Sequence, residues 1–280
     1  MEKTEFIWLN DGLVPRSQAR VSVNDRGFLY GDGFFETLRA EEGRLHFLGE
    51  HLARLRASAR AFRMAFPENF PWGERVHQVL AANGLGRGLA RVKIQLSRGV
   101  APGLGLPGEA RPTLAIWAQP YTPPSPEEYA RGWPLVTFPE PRTTFLGRHK
   151  SLNYLFYLAA RQYALDRGAK EALILEADGS VSEGAATSLV YAREGGFSTP
   201  QAPSALPGVT IEVLRRGLAR RGLSLEAVPT TLAQLTQAGG LWLTNSLMGV
   251  MPVASLDGRA LPISPATVLL QECLRLEVQT

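Results

Sequence analysis

The chain is short of cysteine and short of lysine, and each shortage narrows what it can be. Among 280 residues there is one cysteine, Cys273, which excludes an intramolecular disulfide and any cysteine-built zinc site. Cys273 falls in an apolar C-terminal run expected to be helical, where a thiol serves as a small packing residue. Lysine occurs only at Lys3, Lys93, Lys150 and Lys170, while Lys and Arg together number 30. The formal net charge of +4 is too small to imply a nucleic-acid partner without a clustered basic patch. No stretch approaches the ~20 apolar residues of a membrane span. The charged start Met1-Glu-Lys-Thr-Glu5 is not followed by the apolar core of a secretory leader, so a cytoplasmic protein is expected. With 45% hydrophobic and 20% charged residues, the length suits one large globular domain or two smaller ones.

What is present is best read from Lys150, at the centre of Leu146-Gly-Arg-His-Lys-Ser-Leu-Asn-Tyr154. A lysine kept in an arginine background suggests chemistry that arginine cannot do, because a desolvated ammonium can lose its proton and attack a carbonyl. The other lysines have plainer explanations. Lys3 lies at the terminus, Lys170 precedes a short strand beside Glu171 as a surface residue would, and Lys93 alternates with Val92 and Ile94, away from the apolar face. Lys150 instead follows a glycine-containing turn and opens an apolar helical run, a junction where side chains often line a pocket.

Around this point the chain alternates strands and helices. Phe6–Leu9 reads as a strand turned by Asn10-Asp11-Gly12, and Phe35–Ala40 as another. Between them, Gly27, Gly31 and Gly33 suggest either a flexible loop or close backbone approach. Residues 49–66 have helical periodicity, with Arg54, Arg56, Arg60 and Arg63 off the apolar stripe. Those arginines suit a solvated face, a binding module for anionic polymers, or, for Arg54, a phosphate contact. A second helix is expected over 73–83, strands over 90–97 and 113–118, and a glycine- and proline-rich loop between the strands. Gly103-Leu-Gly-Leu-Pro-Gly108 matches the dinucleotide fingerprint only by accident, since a strand and not a helix follows it. Four prolines in residues 119–126 mark a stiff linker, giving domains 1–118 and 128–280 with a link at 119–127. In the second half a helix is expected over 152–167 and strands over 171–176 and 189–191. Glu183, between strands, is either a solvated turn residue or a carboxylate held where the sheet bends. Pro207-Gly208 before Val209-Thr210 opens a helix whose free N–H groups would favour an anion, or which is simply capped there. Two strand pieces joined at Thr244-Asn-Ser246 and a last helix from about Pro265 complete the chain.

Taken together, Asp25-Arg-Gly27, Gly31-Asp-Gly33, Phe35-Glu36, His51-Leu-Ala-Arg-Leu55, Lys150-Ser-Leu-Asn153, Glu183-Gly184, Pro207-Gly-Val-Thr210 and Thr244 to Val253 resemble the fold-type IV pyridoxal-phosphate enzymes over nearly the whole chain. That group comprises branched-chain aminotransferases, D-amino acid aminotransferases and aminodeoxychorismate lyases. The resemblance implies an α/β (α+β) protein with a small N-terminal domain, a larger C-terminal domain carrying the lysine on a barrel-like sheet, and a homodimer acting on a small molecule, with no metal, nucleic acid or membrane partner. It implies that Lys150 bonds pyridoxal 5'-phosphate and moves the substrate proton. Glu183 would pair with the pyridine nitrogen. Arg54, Val209, Thr210, Asn245 and Ser246 would take the phosphate, and Tyr154 the phenolic oxygen.

Within the group, Asn245-Ser-Leu-Met-Gly-Val-Met-Pro-Val253 is most similar to aminodeoxychorismate lyases, and Thr37 matches a threonine near their reacting centre. The implied reaction converts 4-amino-4-deoxychorismate to 4-aminobenzoate and pyruvate, a step of folate biosynthesis, with a branched-chain or D-amino acid aminotransferase as the alternative. Gly103 and Gly105 stand where D-amino acid aminotransferases carry a carboxylate-trapping Arg and His, and Glu36 stands where some lyases have threonine. Phe35, Arg98, Arg142 and Arg148 are the candidates for substrate contact, the arginines because a dianionic substrate needs cationic partners.

Overall fold

Alternation of apolar and polar residues over 90–97, and a run over 113–120 in which Leu114, Ile116 and Ala118 are the buried positions, build the two central strands of an antiparallel sheet, and the rest of the first half is arranged on it. The computed structural model describes residues 4–279, so the reading of Lys3 lies outside the described residues. By its internal contacts the chain divides into one unit up to Thr122 together with His149–Asn153, and another comprising Pro123–Arg148 and Tyr154 onward. The lysine expected in the second domain thus belongs with the first unit. The reason is backbone pairing: Phe35 N–H donates to Lys150 O at 2.8 Å and Leu152 N–H to Gly33 O at 2.9 Å.

In the first unit, β1 (Phe6–Leu9) turns through Asn10, at φ 51°, into β2 (Gly12–Pro15). The glycine-bearing stretch that follows is not a loose loop. It forms α1 (Arg26–Tyr30), where the Asp25 carboxylate accepts from Gly27 N–H and Gly31 ends the helix in the left-handed conformation. At Gly33 a Cβ would sit 2.6 Å from Leu96 O, so the close approach of strands requires glycine. Then come β3 (Gly33–Glu41), β4 (Arg44–Leu45), α2 (Leu48–Ala61), α3 (Trp72–Ala82), β5 (Leu89–Ser97) and β6 (Thr113–Pro120). The strand order is β2-β1-β6-β5-β3-β4. Phe34, Leu38, Val92, Ile94, Leu96 and Ile116 point to one face and pack with Leu55, Ala59, Val76, Val79 and Leu80 of α2 and α3. Each of these side chains other than Ala59 contributes about 1.5–3 kcal/mol of burial. α2 stops five residues before the expected end because the chain turns at Arg63, whose φ is 52°.

In the second unit, α4 (Pro126–Arg131) starts inside the expected linker. Ser125 forms a capping box with Glu128, and a proline in the first turn costs nothing because its N–H would be unpaired there anyway. The remaining elements are β7 (Trp133–Thr137), α5 (Leu155–Asp166), β8 (Glu171–Leu175), β9 (Val181–Gly184), β10 (Ser188–Arg193), β11 (Gly196–Pro200), α6 (Val209–Ala219), β12 (Ser224–Val228), α7 (Leu232–Gln237), β13 (Leu241–Asn245), β14 (Gly249–Leu256), β15 (Arg259–Ala260) and α8 (Ala266–Gln279). The strands form one mixed sheet, β12-β11-β10-β13-β14-β7-β8-β9, with β15 on β14. The sheet curls until β9 lies against β10 and β11, a half-barrel in keeping with the barrel-like sheet that the family resemblance implies. Phe197, Val190 and Trp242 pack on α6 and α8 with Cys273 among them, while Leu189, Leu243, Met251 and Val253 fill the other face. Strands β7, β9, β11, β12 and β15 and helix α7 are additions to the elements expected from sequence pattern, and Glu183, expected between strands, lies within β9. No described helix is long and apolar enough to cross a membrane.

Candidate active site

The residues singled out by the sequence fall into two groups, one in each unit. In the first unit, the 149–153 segment lies along the start of β3, where Ser151 bridges to Phe34. Lys150 Nζ stands 4.7 Å from the Phe35 ring centroid. Period-two alternation sets Phe35 and Thr37 on the face of the sheet opposite the core, and register pairs Thr37 with Lys93 and Lys93 with Trp117. Lys93 Nζ lies 4.4 Å from the same Phe35 ring and 5.5 Å from Trp117. Lys93 is therefore half-buried beside the reactive-lysine candidate, not a plain surface residue. Burial, and then the charge of Arg91, lower its pKa. Sequence reasoning missed it, although its alternation with Val92 and Ile94 already placed it on the face that holds Phe35 and Thr37.

On the core side of β3, Glu36 is 1% exposed and meets two residues of α2. Arg54 Nε donates to Oε1 at 2.8 Å and Nη2 to Oε2 at 2.6 Å, and His51 Nδ1 lies 2.6 Å from Oε2. Burial would raise the Glu36 pKa, but the Arg54 charge and bonds, with His51, outweigh it and hold the carboxyl at about 2. Arg54, the expected phosphate contact, is thus aimed by a buried carboxylate. Of the neighbouring arginines, Arg56 pairs with Glu68.

Arg98 needs correcting as a substrate contact. It is 1% exposed, and its guanidinium donates to Asp32, Phe62 O, Arg63 O and Pro107 O. A cation so fully engaged by protein acceptors is a structural tie.

In the second unit, Glu183 sits on β9 opposite an irregularity in β8 between Ile174 and Leu175. The Tyr157 hydroxyl donates to its Oε1 at 2.6 Å and Leu206 N–H to its Oε2 at 3.0 Å. The Tyr154 hydroxyl donates to Ala185 O at 3.2 Å, and the two tyrosine rings are 4.9 Å apart. Burial first, and then the charge of Glu183, push both phenols above the usual tyrosine pKa. Glu183 is a positioned carboxylate and not a solvated turn residue.

Nearby in the same unit, α6 begins at Val209 with Gly208 as N-cap and no side-chain cap, and Thr210 in its first turn is buried. A Cβ on Gly208 would come within 2.6 Å of Ser188 Oγ, so the helix start rests on the beginning of β10. The turn after β13 reaches the same place, because Asn245 Nδ2 donates to Ala186 O at 3.3 Å. Asn245 Oδ1 accepts from Leu247 and Met248 N–H, which shapes the turn holding Ser246. Val209, Thr210, Asn245 and Ser246 are thus brought together. Of the other arginines considered, Arg142 stacks on Phe156 and Tyr157, and exposed Arg148 donates to Pro203 O.

An uncapped helix start on a glycine cradle suits a phosphate, and a buried carboxylate anchored at both oxygens suits a protonated ring nitrogen. The donor set therefore fits pyridoxal 5'-phosphate. A mixed α/β fold with a half-barrel sheet and such a site define a fold-type IV pyridoxal-phosphate enzyme. The chain belongs to the class IV amino-transferase family, whose model matches residues 33–256. It is 32% identical over 259 residues to the "Putative branched-chain-amino-acid aminotransferase" of Methanocaldococcus jannaschii, covering 91% of this chain and 89% of that one. It is 29% identical to the D-alanine aminotransferase of Bacillus licheniformis, with 91% and 89% covered. The crystal structure of the T.th. branched-chain amino acid aminotransferase with pyridoxamine 5'-phosphate matches at a TM-score of 0.88 and 26% identity, over 99% of this chain and 94% of that one.

Proposed function

We propose that the protein is an aminotransferase, moving an amino group from an amino acid to a 2-oxo acid, and that the alternative in the sequence reading outweighs the lyase. The observation carrying this is the sheet face on which Lys150, Thr37 and Lys93 gather around Phe35. It offers an amine for the cofactor and a second cation for a substrate carboxylate. Relatives named as aminotransferases support it. The segment that favoured a lyase has a structural explanation: Met248, Met251 and Val253 are core residues, and Asn245 builds a turn. They say little about the reaction. Gly103 and Gly105, at φ 74° and 95°, have no side chains with which to trap a carboxylate, which weighs against D-amino acids.

Bound pyridoxal phosphate supplies the electron sink that stabilises the charge left when the substrate's α-proton departs. Lys150 would hold the cofactor through Nζ and would carry that proton. Glu183 would keep the ring nitrogen protonated. The start of α6 with Thr210 and the Asn245–Ser246 turn would grip the phosphate, a role that the family resemblance also implies for Arg54. Tyr154, a neutral phenol whose hydroxyl donates to Ala185 O, would have to turn that bond over to the cofactor's phenolic oxygen. Thr37 would orient the reacting centre, and Lys93 would hold the substrate carboxylate. We further propose a cytoplasmic homodimer.

The test is a side-by-side assay of the purified holoenzyme. Transfer from branched-chain L-amino acids to 2-oxoglutarate is expected. Stoichiometric 4-aminobenzoate and pyruvate from 4-amino-4-deoxychorismate, with no oxo acid added, would overturn the proposal.

A further inference from the structure

Each carboxylate oxygen of Glu183 accepts a hydrogen bond, and one of these comes from a residue that no role above requires. Tyr157 lies on α5, buried, and gives its hydroxyl to Glu183 Oε1 at 2.6 Å. Its ring is held against Tyr154 at 4.9 Å and Phe156 at 5.8 Å, and the Arg142 guanidinium stands 4.6 Å from its centroid. A ring confined on these sides leaves its hydroxyl one direction in which to point. Leu206 N–H takes Oε2 at 3.0 Å, so the carboxylate is pinned at both oxygens and cannot rotate freely.

We propose that Tyr157 is a positioning residue for Glu183: its hydroxyl fixes the carboxylate plane and shares its negative charge, setting how much of that charge is presented to the cofactor's ring nitrogen. The proposal rests on Glu183 being the partner of that nitrogen. Three physical points support it. A bond from a neutral donor to a buried carboxylate is among the stronger hydrogen bonds in proteins, because water does not compete for the acceptor. The Arg142 cation over the ring draws electron density from the phenol and strengthens the donor. Burial and the Glu183 charge keep the phenol protonated, so the donor persists across the working pH range. Arg142, considered from the sequence as a substrate contact, thereby acquires a different task at one remove from the cofactor.

The competing view is that Tyr157 merely fills space between α5 and β9. Holoenzyme carrying Tyr157→Phe, Glu183→Gln, or both separates the two through readouts that do not depend on the natural substrate. These are the visible absorbance band of the bound cofactor and its rate of reaction with aminooxyacetate. Tyr157→Phe is expected to shift the band and slow the reaction about ten-fold, the usual effect of losing a bond to a charged group. In the Glu183→Gln background the same change should alter the rate by less than about two-fold, since a residue acting only through Glu183 has nothing left to act on. Equal effects in both backgrounds, or none in either, overturn the proposal. If Glu183→Gln alone leaves band and rate unchanged, it is the role of Glu183 that fails. Should Tyr157→Phe not fold, 3,5-difluorotyrosine placed at position 157 keeps the hydroxyl and makes it a stronger donor. The band must then move in some direction from the wild-type position, and no movement overturns the proposal.

Discussion

Glu36 shows how one side chain joins the stability of the fold to its site. Burial opposes its charge, yet Arg54 and His51 hold its carboxyl at about 2, well below the usual 4.5. A carboxyl depressed in the folded state contributes stability that is fully present above its unfolded pKa and is lost as the pH falls through its folded one. The window is therefore about pH 4.5 down to about pH 2, and the contribution is on the order of 3 kcal/mol. Glu36→Gln is expected to unfold at lower temperature than the wild type at pH 7, with the gap closing as the pH is lowered through that window. A gap that stays constant from pH 7 to pH 2.5 would refute this account of the pair. The variant also leaves Arg54 without its bidentate partner, so weaker retention of pyridoxal phosphate on dialysis is expected with it. Little of this was legible beforehand. Lys150 stood out because lysine is scarce, and Arg54 through its motif, but that Glu36 and Arg54, 18 residues apart, meet on the core side of β3 depends on how α2 packs.

Among the elements, the 99–112 segment illustrates a loop whose shape is imposed from outside. Arg26 donates to Gly103 O and Gly105 O, Arg98 donates to Pro107 O, and Asp32 accepts from both arginines. The Asp32 carboxyl, with burial opposing it and Arg98 and Arg26 outweighing burial, is held below its ordinary range. Asp32→Asn would leave two buried guanidinium groups without their shared counter-charge. A loss of about 3–5 kcal/mol in urea unfolding is expected, because removing one partner of a buried pair leaves an uncompensated charge. A loss below about 1 kcal/mol would mean that the carbonyl acceptors suffice. The sequence shows the glycines and prolines that make this segment a loop, and correctly denies it a dinucleotide role. It does not show that Arg98, which looks like a free cation at a strand end, is the fastening. The same limit applies to α4, where prolines that suggest an extended link also permit a helix start.

For the molecule as a whole, the first unit carries an apolar cluster that a monomer would leave in water. Phe28 is 74% and Leu104 88% exposed, with Leu29, Tyr30 and Val100 also open. The two stretches bearing them are tied by the Asp25–Val100 bridge and by Arg26. Exposed apolar surface of this kind marks an association face, and the proposed homodimer would cover it. Sedimentation at micromolar concentration should give about twice the 30.5 kDa chain mass, and Phe28→Asp with Leu104→Asp should lower it to one chain. A wild-type protein that sediments only as monomer removes the dimer.

Local pattern determined much of this protein. Alternation of apolar residues set β5 and helical periodicity set α2 and α6, features that depend on neighbours within a few residues, where chain geometry leaves few choices. The scarcity of lysine pointed to Lys150, and the family resemblance carried by short motifs along the chain implied the cofactor class. What tertiary structure alone decided is partnership across long separations. It pairs Lys150 with the start of β3, turns Lys93 toward the same ring, ties Arg98 to Asp32 and sets Tyr157 on Glu183. A charged or hydroxyl side chain has the same composition and flanking pattern whether it faces water or a buried acceptor. Its role is fixed by which acceptor the packed sheet brings within about 3 Å of it, and sequence spacing carries no record of that distance.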